Sequence, residues 1–259
     1  MSSILYENVS GVASIRLNEP ERRNPLNREL VAQFIDALLN AQADASVNVV
    51  LLSAAGDSFC AGGDLREFQN FRSKDVIDIY DEGRGTAELL KLLGSFAKPV
   101  VAAVNGPAYG GGFGVACACP LVVSSDRARF GATELKLGLF PLVILPAMRA
   151  ALGDRKALEL SLLAETMDAE AAMKLGVVTR VVPHDLLMDE ARSMANRLNG
   201  FSPHALRLGM EAFRVSTGMS GNTASSYLNA LRVMFYHSED LKEGATAFLE
   251  KRPPQWRGR

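Results

Sequence analysis

Two stretches of the chain follow the same pattern. Residues 49–64 read VVLLSAAGDSFCAGGD, and residues 100–114 read VVAAVNGPAYGGGFG. Each is an apolar, β-branched run suited to a strand buried on both faces, then a short turn, a cluster of glycines and a helix start. The repetition calls for an α/β fold in which two glycine turns occupy equivalent places. A helix N-terminus leaves its first N–H groups unpartnered and carries partial positive charge. Glycine, with no Cβ, lets another molecule approach that backbone. Two such turns can aim two N–H groups at one oxygen, which is the layout of an oxyanion hole. The plainer alternative is that the glycines only make tight turns.

The rest of the pattern fits around this pair. Ile4–Val9 and Val12–Leu17 are predicted as strands of a hairpin turning at Ser10-Gly11. Asn27 is placed to cap a helix running to about Ala43, with Leu30, Phe34, Ala37, Leu38 and Ala41 on one face. Buried strands are expected at 47–53, 99–104, 121–124 and 177–182. Helices are expected at 76–97, with a break near Gly83 and Gly85, and at 113–119 and 142–163. A helical tail follows over 203–217, 223–237 and 240–251. No low-complexity linker interrupts the chain. We therefore read residues 1–195 as the core that holds the site and 196–259 as a helical C-terminal region.

Several functions are disfavoured. Neither turn contains GxGxxG or GxxxxGK[ST], which argues against nucleotide-phosphate binding. There is no GxSxG, and His184, His204 and His237 all lie in the C-terminal third, so a Ser–His–Asp hydrolase is not indicated. No His pair or His–carboxylate cluster has metal-ligand spacing, and no metal is expected. A net charge of −1 gives no field that would recruit nucleic acid or an anionic membrane. No apolar run is long enough to span a bilayer, and the N-terminal MSSILYENVSG lacks a secretory pattern. Cys60, Cys117 and Cys119 are sparse and odd in number, which favours a reducing cytoplasm over a disulfide framework.

At the level of motifs, Ser58 to Leu65 (SFCAGGDL) resembles the first signature of the crotonase (enoyl-CoA hydratase/isomerase) family, and Asn105 to Gly112 (NGPAYGGG) the second. Phe130 to Glu134, followed by Leu137-Gly138, resembles the third. Residues 164–178 are similar to that family's TGE…A…A…GLV stretch, and Gly244 to Arg252 to its last helix. The likeness spans nearly the whole chain. It implies a crotonase-like spiral of ββα repeats with a helical C-terminal trimerisation region, hence a homotrimer or a dimer of trimers. It also implies a coenzyme A thioester substrate, with coenzyme A as part of the substrate and no separate cofactor. Carried over by motif, the Gly63 and Gly111 N–H groups form the oxyanion hole. Ala61, Gly62, Asp64, Leu65 and Arg66 lie along the bound coenzyme A, and Phe248 and Lys251 reach the coenzyme A of a neighbouring subunit. On the residues alone, Phe248 also reads as a core-facing helix residue and Lys251 as a solvated charge.

One departure bears on the reaction. Family hydratases use two glutamates. One matches Glu134, but where the other would stand this chain has Gly114. Hydration needs a water to be held, deprotonated and made to donate a proton to carbon, labour that two carboxylates divide. A single carboxylate can take a proton from one carbon and return it to another. The resemblance then favours a double-bond isomerase with Glu134 as sole base, with a one-glutamate hydratase or a non-catalytic acyl-CoA-binding protein as alternatives. Some dienoyl isomerases carry an acid where this chain has Leu142, inside the apolar run 140–146. Glu134 beside that run is expected to have a raised pKa, and Gly114 to leave a space where a second carboxylate would sit.

Overall fold

The structure, a computed structural model, describes residues 2–70 and 74–258. Six strands form the main sheet: β1 (Ile4–Val9), β2 (Val12–Leu17), β3 (Val49–Ala54), β4 (Val100–Val104), β6 (Leu121–Ser125) and β9 (Arg180–Val182), in that spatial order. Only the β1–β2 hairpin is antiparallel; the remaining pairs are parallel. A smaller sheet joins β5 (Ala108–Tyr109), β7 (Arg129–Gly131) and β8 (Met167–Asp168).

The two sheets are linked by a repeated step. β4 lies in the large sheet, β5 in the small one, and helix α4 (Gly111–Ala118) follows. β6, β7 and helix α5 (Leu145–Leu163) repeat the step one strand further on. β3 makes the same move with less regular pairing: Cys60 bridges to Ala108 of β5, and α2 (Leu65–Asn70) and α3 (Val76–Gly94) follow. Each repeat pairs in parallel with the previous one in both sheets. This is the expected spiral of ββα units, and it stacks three strand-to-helix turns along one edge.

Alternation along the parallel strands divides the core. Val50, Leu52, Ala102 and Val104 face helix α1 (Arg28–Ala43), α3, α4 and α5. Val49, Leu51, Val101 and Ala103 face Leu187, Ala191 and Ala195 of α7 (Leu187–Asn199), which covers the other side. α1 begins where expected: the Asn27 side chain accepts from the Leu30 N–H at 2.8 Å, a cap whose removal typically costs about 1 kcal/mol. α3 does not break at Gly83 and Gly85, although interior glycines cost about 1 kcal/mol each relative to alanine. Burial of Leu89, Leu90 and Leu93 carries the helix through them.

Two boundaries shift for local reasons. α4 starts at Gly111, two residues earlier than expected, because a Cβ at position 112 would lie 2.3 Å from the Cys60 carbonyl and only glycine lets that turn pack. β9 starts at Arg180 because the Val177 and Val178 N–H groups are used by the Ala172 carbonyl at the end of α6 (Ala169–Lys174).

The tail comprises α8 (Pro203–Ser216), α9 (Gly221–Tyr236) and α10 (Glu239–Leu249). The boundary expected near residue 195 falls inside α7, whose Ala195 is buried on the sheet, so the core runs on to Asn199. The chain's end folds back on this junction: buried Asp240 accepts from Ser202 Oγ at 2.5 Å and the Arg257 N–H at 2.7 Å, and Trp256 Nε1 donates to the Gly200 carbonyl. Among the described residues no helix is long and apolar enough to cross a membrane.

Candidate active site

The stacked turns converge on one cavity of about 1490 Å³. The first and second turns meet where glycine is required. Gly62 has φ +97° and Gly110 φ +49° with ψ −121°, conformations an L side chain rarely adopts. A Cβ on Gly62 would lie 2.9 Å from the Tyr109 carbonyl and 3.5 Å from the Gly111 nitrogen. The backbone bonds around the turns leave the Gly63 and Gly111 N–H groups without a partner among the described residues. Both glycines line the cavity. A Cβ at Gly111 would meet Leu26 Cδ1 at 2.7 Å, and one at Gly63 would meet Phe68 Cζ at 2.5 Å, so the walls close on bare backbone.

The third turn supplies the carboxylate. Glu134 opens a 3-10 turn three residues beyond β7. The Gly110 N–H bonds the Gly131 carbonyl at 2.9 Å, tying this turn to the second. A Cβ on Gly110 would lie 3.2 Å from Glu134 Oε1, so the carboxylate stands over the Gly110–Gly111 backbone. Its Oε2 is buried with no hydrogen-bond partner. Burial pushes the Glu134 carboxyl above its usual range, offset in part by a backbone hydrogen bond. Three consecutive repeats thus bring two free N–H donors and a carboxylate with one unpartnered oxygen to the same cavity.

The other expected residues fall out unevenly. Ala61, Gly62, Leu65 and Arg66 line the cavity, as does Leu142, which is largely exposed to it. Asp64 lies in the wall, but its carboxylate is engaged by the protein: it pairs with the Arg22 guanidinium and accepts from the Arg66 N–H at 3.0 Å. It anchors the start of α2. Gly114 departs from the expectation. It does not line the cavity, and no space is left beside it: a Cβ there would lie 2.5 Å from Ile144 Cγ2 and 3.3 Å from Leu90 Cδ1. Ile144, from the apolar run after Glu134, fills the place expected for a second carboxylate. Phe248 and Lys251 do not line the cavity of their own chain, and Phe248 is 84% exposed.

Other residues were not singled out from the sequence. Arg22, Arg23, Arg28, Lys74 and Lys136 join Arg66 around the cavity, interspersed with a similar number of carboxylates, so the lining carries both signs. The Arg22-Arg23 pair just ahead of a helix cap was the available signal. Asn24 is the second omission. It is fully buried at φ +52°, its Nδ2 donates to the Ala55 and Ser58 carbonyls at 2.9 Å each, and its Oδ1 accepts from the Glu19 N–H. With the Ala61 N–H to Arg23 and Leu26 N–H to Gly62 bonds, it clamps the first glycine turn. Among the described residues no group of three His, Cys, Asp or Glu side chains could hold a metal ion.

Comparison with known proteins agrees with this architecture. The enoyl-CoA hydratase/isomerase family model matches residues 7–259. A Thermus thermophilus protein carrying an enoyl-CoA hydratase name is 36% identical over 245 residues, 95% of this chain and 97% of its own. The 2,3-dehydroadipyl-CoA hydratase of Escherichia coli is 33% identical over 260 residues and covers both chains in full. The crystal structure of an enoyl-CoA hydratase from Bacillus anthracis superposes with a TM-score of 0.93 at 28% identity, covering 99% of this chain and 100% of that one. The chain belongs to the enoyl-CoA hydratase/isomerase family and has its crotonase fold; it is an enzyme of that family acting on acyl-CoA.

Proposed function

We propose that the chain isomerises the double bond of an enoyl-CoA through a single carboxylate. Glu134, ionised, takes a proton from the α-carbon of a 3-enoyl thioester. The electrons move into the carbonyl, and the Gly63 and Gly111 N–H groups bind the resulting enolate oxygen. The same carboxyl then returns its proton to the γ-carbon, leaving a 2-enoyl thioester. The hole holds that oxygen more tightly as charge develops than in the ground state, and losing one such donor costs about 3–4 kcal/mol of transition-state stabilisation. Arg23, Arg66 and Lys136 on the cavity wall offer charged donors for the phosphates of coenzyme A, and no metal or nucleotide cofactor is needed.

The observation that carries this reading is the pair of facts around the base. Glu134 Oε2 is unpartnered, and Ile144 and Leu90 close off Gly114, where hydration would need its second acid. A one-glutamate hydratase is the second reading, favoured by the names of the relatives, among them a mevalonyl-coenzyme A hydratase of Aspergillus fumigatus at 32% identity. A non-catalytic acyl-CoA-binding protein is the third. Product analysis on 2-enoyl and 3-enoyl thioesters, with solvent deuterium incorporation at the α-carbon, separates them. Isomerisation with exchange supports the proposal, 3-hydroxyacyl product supports hydration, and tight binding without either reaction supports the third. We further propose a homotrimer or dimer of trimers working in the cytoplasm, in keeping with three free, sparse cysteines.

A further inference from the structure

The two N–H donors, Gly63 and Gly111, sit on different turns, so their spacing depends on how the first turn is held against the second. The segments that follow β2, β3 and β4 run side by side, bridged at Leu26–Gly63 and at Cys60–Ala108. Three backbone bonds cross from the first turn to the second. The Phe59 and Cys60 N–H groups donate to the Pro107 carbonyl at 3.1 Å each, and the Tyr109 N–H donates to the Cys60 carbonyl at 3.0 Å. A fourth comes from a side chain: Asn105, immediately after β4, donates from Nδ2 to the Gly56 carbonyl at 2.6 Å. Its Oδ1 is buried without a hydrogen-bond partner. A buried acceptor left unpaired is costly, so Asn105 is not placed for its own satisfaction. Gly106 lets the two backbones close at the same point, since a Cβ there would lie 1.9 Å from the Asp57 carbonyl oxygen. Asn24 reaches the same loop from the other flank, at Ala55 and Ser58. Residues 55–58 are thus held between two asparagines, one from the segment on each side.

We infer that Asn105 is a positioning residue for the reaction: through Gly56 it pins the first glycine turn to the second, and so fixes the separation and aim of the Gly63 and Gly111 N–H groups. The inference deepens the proposed function and rests on its oxyanion hole, not on whether isomerisation or hydration follows. Asn105 does not line the cavity and acts through the backbone it holds. The Gly56 carbonyl needs a donor, which an amide supplies and an ionised carboxylate does not. Removing a donor from such a hole costs about 10²–10³-fold in kcat, and misplacing a group by about 1 Å can cost about 10²-fold. Loss of the Asn105 bond leaves both donors present but frees one of the seam's side-chain ties, so the expected fall in kcat is about ten- to hundredfold.

Infrared spectroscopy of the intact protein with butyryl-CoA, isotope-labelled at the thioester carbonyl carbon, reads the hole without turnover, because a saturated thioester has no double bond to move or hydrate. Hydrogen bonds from the hole should lower the carbonyl stretching frequency below that of free butyryl-CoA. Asn105→Ala should move the bound band part of the way back toward the free value and lower kcat on an enoyl-CoA by about ten- to hundredfold. The Kd of free coenzyme A, which has no thioester carbonyl to enter the hole, should stay at its wild-type value, whereas a general loosening of the site would raise it. Asn105→Leu removes the donor and the stranded acceptor together while filling the space; it carries the same expectation if Asn105→Ala does not fold, which thermal melting checks. A folded variant that keeps the wild-type carbonyl frequency, or that loses coenzyme A affinity in step with kcat, overturns the inference. A wild-type band that does not move on binding is a different failure: it removes the oxyanion hole, and the proposed function goes with it.

Discussion

Glu134 is kept in a state that burial makes costly, with one carboxylate oxygen buried and unpartnered. Because its pKa is raised in the fold, the folded state holds the proton more readily than the unfolded chain. The corresponding stability is present below the unfolded pKa and is lost as pH rises through the folded one. Glu134→Gln should therefore raise the melting temperature at neutral pH and flatten its pH dependence, while cutting turnover by about 10²–10⁴-fold. The base must be ionised, so wild-type kcat/KM should fall as pH drops through a value above the ordinary 4.5; melting curves and a pH–rate profile check both. Gly114→Glu is expected to destabilise by about 1–3 kcal/mol through overpacking and to add no hydratase activity, since Ile144 stands in the way. Chemical denaturation and a 2-enoyl-CoA hydration assay read this out. Here the sequence is only half legible. The missing acid at position 114 can be read directly, but the apolar side chain that replaces it comes from thirty residues downstream.

At the scale of elements, the glycine turns work because other segments fix them. Asn24 holds the first turn through two carbonyls, so Asn24→Ala leaves buried acceptors unpaired. We expect a loss of about 1–3 kcal/mol together with a fall in kcat, as the Gly63 N–H loses its aim. Asn24→Asp should not rescue it, because a carboxylate cannot donate to the two carbonyls. Urea denaturation and steady-state kinetics on an enoyl-CoA measure the two effects. Elements with a strong local pattern were readable in the sequence: the β1–β2 hairpin at Ser10-Gly11, the Asn27 cap and the repeated strand–glycine–helix units match the structure. Those set by distant partners were not. β5 and β8 have two residues each and β7 three, too few for a period-2 pattern to show. The continuity of α3 across Gly83 and Gly85 depends on its packing against α1, which local propensity does not report.

The whole molecule leaves its tail half-finished. α9 has no buried residue over its 16 residues, and Phe213, Tyr236, Phe248 and Leu249 are all more than half exposed. A single chain seldom leaves so many large apolar groups in water without a partner to cover them. Covering each stabilises by about 1.5–3 kcal/mol, and together they rival the roughly 4–15 kcal/mol of freedom that association costs. The proposed trimer or dimer of trimers would cover these groups, and light scattering at micromolar concentration should then give three or six times the 27.9 kDa chain mass. Phe213→Asp should lower that mass by placing a charge in the interface. The same assembly would explain why Phe248 and Lys251 sit away from their own cavity: each would complete the site of a neighbour. Phe248→Ala and Lys251→Ala should then weaken acyl-CoA binding, and the Lys251 effect should fade at high salt, as expected of an exposed charge. Dissociating the assembly by Phe213→Asp should weaken binding to the same degree as the Phe248→Ala and Lys251→Ala pair. If the protein is a stable monomer at micromolar concentration and still binds acyl-CoA at full strength, both the trimer and the cross-subunit role of Phe248 and Lys251 are wrong.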